Sequence, residues 1–496
     1  MLYQSFSIIL FAIIPTAISY HVAISSACMS HLYGTLPLSK LLVEKGHKVT
    51  YVTSNTCKER VLEAGASLYL EKTWNIGTFT SILSLNPIIE NYNKIRLFRN
   101  WSEVVSFETY QWVESLKPEQ RPDVLMSHPF CYNISTIADY FNIPFVSFYS
   151  NGISFPTKAN SKEIVGDVSN YISDKSLTYQ ALARVQWTVM STALDLVFSF
   201  NNINEIRKIM KLPSFSRYYH LVRSYPTICP FSEPFVKHGH VEELYRISLT
   251  KYVNSKIKID ADVIDWLNNS DKPVIYMALG TSTLISDTMV QMLAQAFDEQ
   301  SDFRILWSLL KRDSEINVKT KSHVLIKRFL PQISIFQRKE IVGFITHCGA
   351  ASIFEATSLE IPFIFFPQGR DQYFIAKNAN NSGIGVYLKS PTSPSDIKDV
   401  LLQFKNRQIE LHKKISEIKR SINDADKWEQ FDSMIKALIK DKKHSRMEVE
   451  DEFDYTVKIG VTLIILTLML LIGIFAFILY ACIKCFSKGK AKLKKN

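Results

Sequence analysis

Two stretches of this 496-residue chain hold side chains whose types and spacing suit group-transfer chemistry. In the C-terminal half, the apolar run Ile341–Ile345 ends at Thr346-His347-Cys348-Gly349, and a helical pattern starts at Ala350 and runs to Leu359. A glycine at such a strand-to-helix turn lets a diphosphate approach the backbone. The free N–H groups and positive dipole end of the helix favour its charge. His347, in the same turn, is placed to donate a hydrogen bond to a phosphate oxygen. Near the N-terminus, His31 follows the short apolar run His21 to Ser26. It would sit just outside the carboxyl end of a first strand, where open α/β sheets bind ligands, and imidazole has a pKa suited to proton transfer near neutrality. A third constellation is a decoy. Asp260-Ala-Asp262 has the spacing of a metal-holding carboxylate pair, but it precedes Val263, Ile264, Trp266 and Leu267 and reads better as the cap of a short helix.

The elements that must position these residues follow a regular rhythm. His21 to Ser26, a helical face through Leu36, Leu38, Leu41, Leu42 and Val43, and a second strand from Lys48 to Val52 form a βαβ unit, which implies a parallel sheet. A second α/β pattern opens at Pro273–Leu279 and the turn Gly280-Thr281-Ser282. It continues with strands at Phe303–Trp307, Val324–Ile326, Ile341–Ile345, Phe363–Phe366 and Val386–Leu388, alternating with helices. Tyr245 to Lys258 carries few strong signals and is assigned as the linker, and Ile409 to about Lys443 reads as charged helix. The expected domains are therefore 20–250 and 251–445, each a Rossmann-like doubly wound parallel sheet, facing one cleft.

The chain is 47% hydrophobic and 21% charged, which suits packed domains rather than disorder. Residues 1–19 resemble a cleaved secretory leader. Ile459–Ile483 is about 25 residues without a charge, preceded by acidic residues and followed by lysines, as in a single membrane-spanning helix whose lysine-rich side is cytosolic. The tail 484–496 ends Lys492-Leu-Lys-Lys-Asn496, similar to a dilysine retrieval signal, so a single-pass type I protein of the endoplasmic reticulum membrane with luminal domains is expected. Six lysines of that tail account for much of the net charge of +11, which removes nucleic acid as a partner. A luminal chain would offer glycosylation acceptors at Asn100, Asn133, Asn268 and Asn380. The luminal cysteines Cys28, Cys57, Cys131, Cys229 and Cys348 have no Cys-x-x-Cys spacing, so neither a metal site nor a dense disulfide framework is expected.

Residues 329–372 read FLPQISIFQRKEIVGFITHCGAASIFEATSLEIPFIFFPQGRDQ, with ordered landmarks: aromatic-x-Pro-Gln, Thr-His-Cys-Gly, Glu, Pro and Asp-Gln. This segment resembles the nucleotide-sugar signature of the UDP-glycosyltransferase superfamily. The wider chain, with its leader, paired domains, single span and lysine tail, resembles the animal-type, membrane-bound UDP-glucuronosyltransferase branch. The resemblance implies a GT-B type α/β fold with one C-terminal transmembrane helix. It implies inverting, metal-independent transfer from UDP-glucuronate or a UDP-hexose to a small lipophilic acceptor, with no further cofactor. Phe329 would stack the uracil, Gln332 would meet the base or ribose, Glu355 the ribose hydroxyls, and Asp371 and Gln372 the sugar. Thr281, His347 and Gly349 would serve the phosphates, and His31 matches the catalytic base.

Two departures from the family pattern stand out. Ala351 occupies a place where relatives commonly carry an asparagine that touches a phosphate; the neighbouring Ser352 is a substitute donor. In Pro122-Asp-Val-Leu-Met-Ser-His128, the aspartate that orients the catalytic histidine in many relatives is matched by His128. A neutral histidine does not stabilise imidazolium as a carboxylate does. His128 relaying a hydrogen bond, another carboxylate serving, or weakened catalysis are the open alternatives. The last leads to a second function: a UDP-sugar-binding membrane protein with little turnover, a partner subunit in a homo- or hetero-oligomer. Phe130, Phe145, Phe148, Tyr149 and Phe155 are expected to line the acceptor pocket.

Overall fold

The computed structural model describes residues 19–26, 29–69, 103–128, 131, 133–149, 200–215, 225–230, 235, 244–280, 285–309, 318–368, 371–441, 462, 465–470 and 472–475. Residues 1–18 of the expected leader, Cys28, Asn100, Phe130, Phe155, Thr281 and the basic tail lie outside them. Most of the expected membrane span does too. Its described parts, 465–470 and 472–475, are helical with exposed apolar side chains such as Leu470 and Phe475. Among the described residues no helix is long and apolar enough to cross a membrane.

The first domain is a wholly parallel sheet of β1 (His21–Ser25), β2 (Lys48–Val52), β3 (Ser67–Tyr69), β4 (Val124–Ser127), β5 (Phe145–Phe148), β6 (Thr227–Cys229) and β7 (Leu244–Arg246), in the order β3-β2-β1-β4-β5-β6-β7. Its described helices are α1 (Met29–Glu44), α2 (Lys58–Glu63), α3 (103–115), α4 (Asn133–Phe141) and α5 (Phe200–Ile209). β1 and β4 are buried along nearly their whole length, because helices cover both faces of a parallel sheet. Strand order reverses at β1, leaving a crevice between the carboxyl ends of β1 and β4.

The second domain repeats the plan with β8 (Val274–Ala278), β9 (Arg304–Ser308), β10 (Val324–Lys327), β11 (Ile341–Thr346), β12 (Phe363–Phe365) and β13 (Gly385–Tyr387), ordered β10-β9-β8-β11-β12-β13. Its helices are α6 (Ala261–Asn268), α7 (Asp287–Glu299), α8 (Gln332–Phe336), α9 (Ala350–Ser358), α10 (Asp371–Asn381) and α11 (Pro394–Asp424). Here the order reverses between β8 and β11. Both doubly wound sheets expected from the sequence are present, with strand ends displaced by a residue or two.

The C-terminal helical stretch differs from the expectation. It is two helices, and the first begins well before Ile409, at a capping box in which Ser393 Oγ accepts the Asp396 amide and the Asp396 carboxylate accepts the Ser393 amide, Pro394 following as the first helical residue. The chain breaks at 425–427, and α12 (Trp428–Asp441) leaves the second domain to pack on the first. There the Lys427 amide donates to the Arg246 carbonyl (2.8 Å) and the Tyr20 hydroxyl to Asp432 (3.1 Å). Tyr245 belongs to β7, so the linker starts later than the sequence indicated. One apolar core runs through the first domain into the facing side of the second; another lies under α7 and α11.

Burial corrects two further expectations. Asn133 opens α4 and is only 7% exposed, so the helix hides that glycosylation acceptor. Phe145 and Phe148 are core residues of β5 rather than pocket walls, and Phe145 packs edge-on against Tyr225. Alternate apolar residues of a central parallel strand are both buried, which no pattern of aromatics reveals.

Candidate active site

The crevice of the second domain is built around one imidazole. β11 delivers His347 at its carboxyl end, 7% exposed, and α9 starts three residues later. The turn is tight: Cys348 takes φ +68°, a left-handed conformation, and its amide donates to the Thr346 hydroxyl (3.1 Å). The ring presses against two glycines. A Cβ on Gly280, two residues past the end of β8, would lie 2.6 Å from His347 Nε2, and one on Gly349 would lie 2.4 Å away. Gly280 also has φ +74°, so glycine is required there for backbone and packing alike. Burial lowers the imidazole pKa to about 4, with the Ala278 carbonyl acting weakly in the other direction. His347 is therefore neutral at physiological pH, with one N–H to give. Its Nδ1 has no hydrogen-bond partner among the described residues.

Five of the sequence-predicted donor residues lie on or next to the elements beside this turn. Gln332, first residue of α8, donates through Nε2 to Glu355 Oε2 (2.6 Å) and to Ser352 Oγ (3.2 Å), both on α9. Glu355 keeps part of its surface accessible, yet the surrounding packing raises its carboxyl to about 7; the Gln332 hydrogen bond and the charge of Arg60 draw it down only partly. Phe329 stands half-exposed just before α8, an apolar face open to the cleft. Gln372, in the first turn of α10, accepts the Gln368 amide through Oε1 (2.9 Å), leaving its side-chain amide donors free of any described partner. Asp371 begins α10, which places it beside Gln372 at the carboxyl edge of β12. Asp260 takes the N-cap position of α6 without a side-chain capping bond, and Asp262 is ion-paired to Lys327.

The first domain supplies the opposite wall. His31 lies in the first turn of α1, directly after β1, and α1 packs across the cleft against α9. His128 follows β4 on the neighbouring strand, 3% exposed, with its ring centroid 6.0 Å from that of Tyr149 at the end of β5. Tyr149, expected in the aromatic lining, is 4% exposed and belongs to the same apolar core as Phe145 and Phe148, its ring turned toward His128. Sequence reading missed one group. Glu108, on α3, is 6% exposed, and its Oε2 is buried without a hydrogen-bond partner among the described residues. Its neighbour Thr109 bonds to Ser25, the last residue of β1 (3.0 Å), so Glu108 lies level with the carboxyl end of that strand. Its signal in the sequence was a single acidic residue between the buried helical positions 105, 109, 112 and 113. A buried polar oxygen without a hydrogen bond is costly, which singles Glu108 out as a candidate for a role at the crevice.

A family profile described as "UDP-glucoronosyl and UDP-glucosyl transferase" matches residues 256–491, the second domain with the crevice around His347 and the segment beyond. The chain is 22% identical to the NDP-glycosyltransferase YjiC of Bacillus subtilis (strain 168) over 438 residues, covering 85% of this chain and 98% of that protein. It is 31% identical over 135 residues to the Solanum tuberosum solanidine UDP-glucose glucosyltransferase 1, and 33% identical over 134 residues to an Arabidopsis thaliana protein, UDP-glycosyltransferase 74C1. Those two matches take in 25% of this chain, and the chain spans only 28% and 29% of the length of the two plant relatives. Among solved structures, the glycotransferase of kitacinnamycin superposes with a TM-score of 0.62 at 15% identity, covering 84% of this chain and 98% of the other. Arabidopsis thaliana UGT89C1 complexed with quercetin gives 0.58 at 16% identity, covering 86% and 100%. Both show the GT-B fold, two facing parallel sheets.

Proposed function

We propose, from the premise that this chain belongs to the UDP-glycosyltransferase family, that it transfers glucuronate or a hexose from a UDP-sugar to a small lipophilic acceptor, inverting the anomeric carbon without a metal. The observation that carries this is the neutral, buried His347 at the start of α9, one helix surface away from the Gln332–Glu355 pair and the open face of Phe329. Those groups match, in order, a leaving diphosphate, a ribose and a base. His347 gives its N–H to the phosphate oxygen as the glycosidic bond to UDP breaks, and the α9 amides share the charge. Asp371 and Gln372 hold the sugar hydroxyls. On the other wall, His31 accepts the acceptor's hydroxyl proton while that oxygen attacks the anomeric carbon.

An imidazolium formed at His31 needs a counter-charge. His128, in place of the family's aspartate, carries none when neutral. We assign that task to Glu108, the buried carboxylate level with the end of β1. The leader, the span at 459–483 and the lysine tail support placement in the endoplasmic reticulum membrane with both domains luminal. The exposed apolar side chains over 465–475 fit that placement.

Incubation of the detergent-solubilised chain with labelled UDP-glucuronate or UDP-glucose and a panel of phenols and sterols tests the reading. Transfer from either donor that collapses in His31→Ala is expected. A second reading, donor binding without turnover, is favoured by His128 alone; retained UDP binding with no transfer to any acceptor would select it.

A further inference from the structure

We propose that Arg60, on α2 of the first domain, is a donor-binding residue supplied to the second domain's site across the cleft. The proposal rests on the reading of that site as a UDP-sugar pocket, and three observations support it.

The first is position. The Arg60 guanidinium carbon is 4.1 Å from the ring centroid of Tyr33 on α1 and 5.9 Å from that of Phe329 on the opposite domain. A cation this close to an aromatic face is held by the ring's quadrupole. Tyr33 belongs to the same domain as Arg60, so it fixes the side chain while the guanidinium points at the ring expected to carry the base.

The second is an uncommitted charge. The Arg60 guanidinium makes no hydrogen bond or ion pair with another described residue, although its field reaches the Glu355 carboxyl and draws that group's pKa down. A guanidinium offers five N–H donors in a planar fork that matches phosphate oxygens or paired carbonyls. A nucleoside diphosphate brings both. Its flat base would stack on half-exposed Phe329, and its negative charge would enter a cleft that already holds Glu355. An arginine free to pair beside those two groups is the complement that such a ligand lacks in the second domain alone.

The third is the mounting. One turn after Arg60, the carboxylate of Glu63 accepts the backbone amide of Lys256 and the hydroxyl of Ser255 (3.4 Å) in the linker. α2 is therefore tied to the segment that joins the domains. A ligand gripped by Arg60 and Phe329 together draws the two walls toward each other, so part of the donor's binding energy goes into closing the cleft.

Calorimetric titration of UDP into the full chain in detergent tests this, with Arg60→Ala, Arg60→Lys and Phe329→Ala beside the unmutated protein. Loss of one charge-assisted contact predicts about a tenfold rise in Kd for Arg60→Ala and a similar rise in KM for the UDP-sugar, with kcat at saturation within about twofold. Arg60→Lys should recover part of the loss, because it keeps the charge and gives up the fork. If Arg60→Ala fails to fold, Arg60→Lys carries the same expectation at reduced size, with its thermal midpoint as the control. An unchanged Kd in both variants overturns the proposal; so does tighter binding, which would make Arg60 a side chain that blocks the pocket. Failure of the unmutated chain to bind UDP would instead overturn the donor-site reading, and the role of Arg60 with it.

Discussion

Gln332 Nε2 lies 2.6 Å from the Glu355 carboxylate, bridging α8 and α9 inside the donor crevice. The bond holds a carboxyl whose pKa burial has raised to about 7, above its ordinary value of 4.5. The folded chain thus binds a proton at Glu355 that the unfolded chain releases earlier. Its contribution to stability is complete below about pH 4.5 and disappears as pH rises through about 7. His21 and His347, both lowered by burial to about 4, act oppositely: their contribution is present above about 6.5 and lost as pH falls through about 4. Glu355→Gln removes one of these and leaves the others. The expected result is a thermal midpoint above wild type at pH 8 and a difference between the two proteins that shrinks toward pH 4.5. A difference independent of pH would contradict the burial argument.

On the opposite wall, the test concerns His31 and Glu108. His31→Ala should reduce transfer by roughly a hundredfold or more while the Kd for UDP stays unchanged, since a general base contributes to turnover and not to nucleotide binding. Glu108→Gln should lower kcat by about tenfold or more and shift the acidic limb of the pH–rate profile. Adding His128→Asp to Glu108→Gln should restore part of the rate. A Glu108→Gln enzyme with an unaltered profile would remove Glu108 from the mechanism.

The two glycines around His347 separate packing from backbone strain. Gly349 has φ −62°, so Gly349→Ala adds only a methyl group 2.4 Å from Nε2. Gly280→Ala adds the same kind of clash and a non-glycine residue at φ +74°, at an extra cost of about 1–3 kcal/mol. Both should weaken UDP binding by displacing the imidazole, and Gly280→Ala should have the lower thermal midpoint. Equal midpoints would show that the turn relaxes.

Asp139 and Arg207 form a buried ion pair at 2.8 Å between α4 and α5, and the Tyr225 hydroxyl donates to the same carboxylate oxygen (2.8 Å). Removing one partner strands the other charge in the core. Asp139→Ala should therefore cost about 3–5 kcal/mol, a fall in thermal midpoint on the order of 10 °C, read by differential scanning calorimetry. A change within about 2 °C would mean that water reaches the stranded guanidinium.

The legibility of this molecule in its sequence was uneven, and for physical reasons. The relative placement of Phe329, Gln332, His347, Glu355 and Gln372 was readable, because they come from one contiguous stretch whose strand–turn–helix rhythm positions them, while the roles proposed for them rest on the family resemblance of that stretch. Strand existence was equally plain wherever both faces are buried. Contacts between distant segments were not. Nothing near Arg60 in the chain indicates that it ends up over Phe329, and nothing near Glu108 shows it to be level with Ser25. Phe145 and Phe148 misled because an aromatic in a central strand reads the same whether it faces a pocket or the core.

Helix α12 has a consequence for how far the two halves are separate modules. It is encoded after the second domain, yet Tyr20 and Arg246 of the first domain hydrogen-bond to Asp432 and to the Lys427 amide just ahead of it. Its buried Trp428, Phe431 and Ile435 join the first domain's core, with Phe431 edge-on to Tyr245. The first domain is therefore incomplete as a separate gene fragment, because the last piece of its core is borrowed from the far end of the chain. Residues 20–250 expressed alone should aggregate through the surface that α12 covers, and co-expression with 251–445 should rescue them into a soluble complex. Recombination at the linker would accordingly exchange a donor half together with part of its neighbour's interior, and only α12 sequences matched to the recipient would be tolerated.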